Sequence, residues 1–115
     1  MSFRPAATLA ELGEDPLPVT LLDDDGQEIQ VAIVASEGEV FAIRDLCSHA
    51  HVLLSEGDVE DASIECWLHG SRFDLRSGAA LNLPASQPVP VYPVKIEGEQ
   101  ISVDVSHPES QLEQR

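Results

Sequence analysis

The sequence predicts an all-β protein, an antiparallel sandwich or barrel. Three observations carry that expectation. Gly and Pro punctuate much of the 115 residues, short β-rich runs lie between them, and the helical candidates reduce to one stretch of five residues. A chain of this length supports one small domain, which buries about two-thirds of the surface its unfolded form exposes. We expect that domain to span residues 1–105 and a polar, loose tail to occupy 106–115.

The helical stretch is Thr8-Leu9-Ala10-Glu11-Leu12, where Thr8 can cap a single turn with Glu11 at the third following position. Leu17 to Leu22 reads as a strand, and Asp23-Asp24-Asp25-Gly26 after it is a strong turn signal. Gln27 to Ala35 alternates less cleanly, with Ile29, Val31 and Ile33 on one face, and pairs back as a hairpin. A turn at Glu37-Gly38-Glu39 leads into Val40 to Arg44. Beyond Gly57, a turn near Glu60-Asp61-Ala62 precedes a short strand, Ser63 to Glu65, and Phe73 to Leu75 is followed by a turn at Arg76-Ser77-Gly78. Leu81 to Pro93 carries four prolines, which argues for an extended covering loop, with Val91-Tyr92 returning to the sheet. Val94 to Glu97 and Gln100 to Val105, joined at Gly98-Glu99, form a closing hairpin.

Six basic residues against twenty-one acidic ones give a formal charge of −15. Such a surface repels phosphate backbones and anionic lipids, so neither nucleic acid nor membrane is an expected partner. No run approaches the roughly 20 apolar residues of a membrane span, and the first ten residues lack an apolar stretch behind a basic start. A soluble, cytoplasmic monomer is the expectation. Most of the carboxylates read as a solubility coat. Their sum can also steer the protein toward a basic docking face, where opposite charge raises encounter rate more than affinity.

The chemistry concentrates in Cys47-Ser48-His49 and, sixteen residues after His49, Cys66-Trp67-Leu68-His69. These use both cysteines and two of the four histidines. Two loops brought face to face would present two sulfur and two nitrogen donors. A disulfide between the cysteines is the alternative, but in a reducing compartment two cysteines each beside a histidine favour a metal. Zinc and iron both accept this donor set. Zinc modules usually space paired ligands by two to four residues, whereas one residue separates Cys47 from His49, and the chain is longer than a domain that needs zinc for its whole fold. Iron is thereby favoured.

The order C-x-H…C-x-x-H resembles the signature of Rieske proteins, and so do the flanks Leu53-Leu54-Ser55-Glu56-Gly57 and Gly70-Ser71-Arg72-Phe73-Asp74. The resemblance continues through Gly78 to Tyr92-Pro93-Val94. It implies a Rieske-type antiparallel β-sandwich with a small cluster-binding subdomain of two loops, holding one [2Fe-2S] cluster. Cys47 and Cys66 would bind one iron as thiolates; His49 and His69 would bind the other as neutral imidazoles through Nδ1. Neutral ligands lessen the cost of the added electron, which lifts the potential from about −400 mV in plant-type ferredoxins into a range of about −150 to +300 mV. High-potential relatives add a serine and a tyrosine hydroxyl and a disulfide between the loops. This chain matches only the serine, Ser71; Phe73 stands at the tyrosine position, and Val52 and Leu68 stand where the cysteines belong. The low-potential end follows.

By the same resemblance the protein is a ferredoxin with no catalytic domain. It would pass electrons from a flavin-dependent ferredoxin reductase to a terminal oxygenase of the aromatic-ring dioxygenase type. Alternatives are a Rieske ferredoxin serving iron-sulfur cluster assembly or another redox pathway, a structural zinc module, and a non-redox scaffold subunit. An oxygenase would need a further mononuclear iron domain, for which this chain has no room.

Other residues invite roles that the sequence weighs against. His51 and His107 are not expected to be ligands. Arg44 with Asp45, and Arg72 with Asp74, are candidate pairs that stiffen the loops. Asp23 to Asp25 and Asp58 to Asp61 lack the spacing of a calcium loop. Trp67 either shields the centre or packs in the core. Gly70 can let an amide approach the cluster, while Gly57 and Gly78 read equally well as close-approach or ordinary turn glycines.

Overall fold

The computed structural model describes residues 3–13, 15–46, 52–68, 70–82 and 88–106. The regular structure among these described residues is ten strands and one 3-10 turn: β1 (Arg4–Thr8), β2 (Leu17–Leu22), β3 (Glu28–Ser36), β4 (Glu39–Arg44), the 3-10 turn (Leu54–Glu56), β5 (Val59–Glu60), β6 (Ser63–Glu65), β7 (Arg72–Asp74), β8 (Val91–Tyr92), β9 (Val94–Glu97) and β10 (Gln100–Val103). They form three antiparallel sheets, in the orders β1-β10-β9, β2-β3-β4-β8 and β5-β6-β7.

The four-stranded sheet is a wall shared by two cores. Val31 and Ile33 of β3 and Ala42 of β4 point into one core with Ile101 and Val103 of β10. Ala32 and Val34 of β3 and Phe41 and Ile43 of β4 point into the other, with Ile64 and Phe73 of the small sheet and Leu75 just past it. A strand covered on both sides cannot show clean apolar–polar alternation, because both sets of side chains are buried. That is why the β3 sequence alternates poorly, and why Val31 through Val34 are all wholly buried.

The hairpin turns follow from their residues. Glu37-Gly38 and Asp61-Ala62 have positive φ at both central positions (54° and 80°; 53° and 58°), the twist that two-residue connections between strands favour. Gly98 takes φ 61° before the β9–β10 pairing begins at Glu97↔Gln100. Pro93 separates β8 from β9. Lacking an N–H, it ends one ladder, and the chain crosses there from the central sheet to the outer one.

Three elements escaped the sequence reading, and the single capped turn at Thr8 is present as expected. Arg4–Thr8 is a strand that the sequence did not announce; its Pro5 and two alanines are weak strand formers, and its pairing with β10 is interrupted by a register shift between Pro5 and Ala7. The capping pattern at Thr8 is real, since Thr8 N–H donates to Glu11 Oε1 (2.9 Å) and Glu11 N–H to Thr8 Oγ1 (3.3 Å). It closes an isolated turn after β1, not a helix. The 3-10 turn and the two-residue β5 also lay below the resolution of sequence patterns. The C-terminal tail beyond Ser106 lies outside the described residues.

Candidate functional site

Of the four expected ligands, Cys66 is described; Cys47, His49 and His69 lie outside the described residues, as do His51 and His107. The stems that carry both ligand loops are well defined. Cys66 follows directly on β6 and is wholly buried in the core shared with Leu54, Ile64 and Phe73. Its N–H donates to Ser71 O (2.6 Å), and its carbonyl accepts from Gly70 N–H (2.9 Å). The second ligand loop is therefore a tight reversal. Gly70 makes it possible at φ 78°, a conformation that residues with a Cβ rarely adopt. Ser71, next along, is buried.

The first ligand loop begins at the end of β4. Asp45, almost fully buried, accepts the Ser55 N–H on Oδ1 (2.7 Å) while its own N–H donates to Gln30 O (2.8 Å). One carboxylate thus joins the entry of the loop to its exit. A buried carboxylate needs such donors to offset its desolvation. From Ser55 the chain runs to Gly57, whose position decides how close the two loops come. A Cβ on Gly57 would overlap the Glu65 carbonyl oxygen and lie 2.9 Å from its carbon. Only glycine lets the exit of the first loop cross against the residue that precedes Cys66. Gly78 makes a similar close approach to the Val89 carbonyl and also turns the chain at φ 82°, so Gly57 serves close approach and Gly78 serves both roles.

Arg72, just past the second loop, fixes the small sheet. Its guanidinium donates to Ser63 Oγ through Nε (3.0 Å) and Nη2 (2.8 Å) and pairs with Glu65 through Nη1 (3.1 Å). The expected Arg72–Asp74 pair is replaced by these contacts, because β6 lies directly across from β7 and Arg72 pairs in register with Glu65. Asp74 instead accepts from Arg76 N–H and Ser77 Oγ within its own turn. Arg44 is exposed while Asp45 is buried, so the Arg44–Asp45 pair gives way to the Asp45–Ser55 bond. Neither Asp45 nor Arg72 was assigned these partners from sequence, since the Arg72–Glu65 contact comes from strand register and the Asp45–Ser55 contact from the return of the first loop to the 3-10 turn.

Trp67 and Leu68 are about half exposed, and so is Leu81. Core packing is thereby excluded as the role of Trp67. Trp67 and Leu68 directly follow Cys66, and the Leu81 backbone is tied to the stem of the second ligand loop, as its N–H donates to Arg72 O (2.7 Å). The site thus has a buried sulfur at its root and exposed apolar side chains beside it. Among the described residues no group of His, Cys, Asp and Glu offers another metal site. A buried thiol at the crossing of two closed loops, with one more thiolate and two imidazoles in the loop sequences, is a donor set suited to an iron–sulfur centre and unsuited to a hard cation.

The Rieske [2Fe-2S] domain profile matches residues 3–93 of this chain. The chain is 42% identical over 102 residues to the naphthalene 1,2-dioxygenase system, ferredoxin component, of Pseudomonas aeruginosa, covering 88% of this chain and 93% of that one. It is 42% identical over 103 residues to the anthranilate 1,2-dioxygenase ferredoxin subunit of Burkholderia cepacia, covering 90% and 92%. Among solved structures, the ferredoxin of carbazole 1,9a-dioxygenase from Nocardioides aromaticivorans IC177 superposes with a TM-score of 0.78 at 37% identity, covering 90% of this chain and 98% of that one.

Proposed function

Since this chain belongs to the Rieske [2Fe-2S] domain family, we propose that it accepts single electrons from a flavin-dependent reductase and delivers them to the terminal oxygenase of an aromatic-ring dioxygenase system. It is a ferredoxin that carries one [2Fe-2S] cluster. Cys47, His49, Cys66 and His69 are the residues that would hold the cluster, and when bound it supplies a site for one reversible electron. The rest of the domain, residues 1–105, positions and insulates that site. The chain performs no bond chemistry of its own and works in the cytoplasm as a monomer. Relatives that it covers over nine-tenths of their length are named as ferredoxin components, which supports a stand-alone carrier.

The buried position of Cys66 at the crossing of Gly57 and Glu65 carries this reading. It keeps water from the thiolate, while Trp67 and Leu68 directly after it are exposed. Phe73, wholly buried, brings no hydroxyl. The absence of that donor and of an inter-loop disulfide supports a potential at the low end of the Rieske range. Trp67, Leu68 and Leu81 expose apolar side chains beside the stem of the second ligand loop, within a strongly acidic protein. A partner with a basic rim around an apolar recess fits that combination.

Visible absorption and electron paramagnetic resonance of the dithionite-reduced protein test the proposal. Mixed sulfur and nitrogen ligation is expected. A colourless protein that carries zinc, as purified and after reconstitution with iron and sulfide, would overturn it. His69→Cys should lower the potential of any cluster that still assembles, and an unchanged potential would remove His69 from the ligand set.

A further inference from the structure

Asn82 lies outside the ligand motif, in the segment that leads to the prolines, and its side chain is exposed. Yet both ends of its carboxamide are used on the second ligand loop. Its Oδ1 accepts the Arg72 N–H (2.6 Å), and its Nδ2 donates to Gly70 O (3.1 Å). These two backbone groups flank Ser71. The ladder beside them explains how Asn82 arrives there: Phe73 bridges to Ala80, and Leu81 N–H donates to Arg72 O. One residue further on, a side chain with the shape of a peptide group continues the pairing that the backbone has left.

The bonds inside the loop, from Cys66 N–H to Ser71 O and from Gly70 N–H to Cys66 O, close it from within. Asn82 closes it from outside, at the two peptide groups that frame Ser71, directly after the positive-φ residue Gly70. Side chains that orient the segments bearing metal ligands commonly affect metal retention about 10–100-fold when removed. We propose that Asn82 is a positioning residue for the metal centre. Its carboxamide holds the Gly70–Arg72 backbone, and with it Ser71, in one arrangement at the end of the second ligand loop. This inference rests on the Rieske reading.

The test uses the full chain carrying its cluster, with Asn82→Leu, which removes both bonds at similar volume, and Asn82→Asp, which keeps the acceptor for Arg72 N–H and loses the donor to Gly70 O. Bleaching of the cluster in the presence of an iron chelator should be about tenfold faster in the Leu variant, with the Asp variant between it and the parent. The resonance spectrum and the reduction potential should shift in the same order, while the urea midpoint of the cluster-free protein stays that of the parent. A parental lifetime, spectrum and potential in either variant overturn the proposal. So does a loss of cluster matched by equal destabilisation of the cluster-free protein, since that marks a general structural role. If the parent itself takes up no cluster, it is the Rieske reading that fails.

Discussion

Replacing Gly57 by alanine is the most direct challenge to the way the two ligand loops are brought together. The backbone at Gly57 (φ −97°, ψ −173°) is ordinary extended chain that alanine adopts without strain, so any effect is purely one of space. The new methyl would overlap the Glu65 carbonyl oxygen and sit 2.9 Å from its carbon, with Leu54 O at 3.4 Å. Carbon atoms rest at about 3.5–4.0 Å, so one of the two stems has to retreat by at least about 1 Å. Both stems are backbone, with no flexible side-chain end to absorb the movement. Overpacking of this kind costs about 1–3 kcal/mol. Retreat also breaks or weakens the bonds Gly57 N–H to Leu54 O and Glu65 N–H to Asp58 O, both under 3 Å, at about 0.5–1.5 kcal/mol each. A total of about 2–6 kcal/mol is expected, or a fall in Tm of about 8 °C or more. Urea unfolding of the cluster-free protein and iron content after reconstitution measure it. Gly13→Ala is the control, because its Cβ meets nothing within 4 Å. A Gly57→Ala protein with the parental urea midpoint and full iron content would refute the close crossing.

Other outcomes follow from single contacts. Asp45→Ala leaves the Ser55 N–H without its acceptor and should destabilise by about 1–3 kcal/mol, whereas Asp45→Asn keeps an oxygen there and should cost less; equal losses in urea melts would show that the bond contributes nothing. Glu37 occupies a left-handed conformation (φ 54°) in the β3–β4 turn, so Glu37→Asn should stabilise by about 0.5–1 kcal/mol despite losing an exposed ion pair to Arg76, read as a rise in urea midpoint. Tyr92 is the sole tyrosine, and burial holds its hydroxyl above the ordinary 10.0, partly offset by Arg44. Its contribution to stability is therefore complete below about pH 10 and is lost as pH rises through the higher folded value. Tyrosinate absorbance should appear at higher pH in the native protein than in urea, and coincident titrations would contradict the burial.

Much of the sheet framework was legible because its signals are local. Gly26, Gly38 and Gly98 mark turns that depend on a few adjacent residues, and the strands at Leu17–Leu22, Ser63–Glu65, Val91–Tyr92 and Val94–Glu97 fall where the runs between them predict. The expected donor set was likewise a short motif read in one dimension, and of it Cys66 falls among the described residues. What escaped was long-range. Arg4–Thr8 becomes a strand only because β10 lies beside it, and Arg72 chooses Glu65 over Asp74 because of register between β6 and β7. Asn82 offers no pattern in the sequence, since its importance arises from where Leu81 leaves it. The clasp at Asp45 was likewise invisible until Ser55 came within reach.

The double-sided burial of β3 has a consequence for how this protein can fail. Neighbouring positions in Val31 to Val34 answer to different halves of the molecule, so shaving a methyl from Ala32's or Val34's side is felt by the redox half and from Val31's or Ile33's by the other. Neither half can melt while the other stays whole, because each would strip the same strand of its lining. Damage far from the ligands, even in the terminal hairpin, therefore threatens the grip on iron.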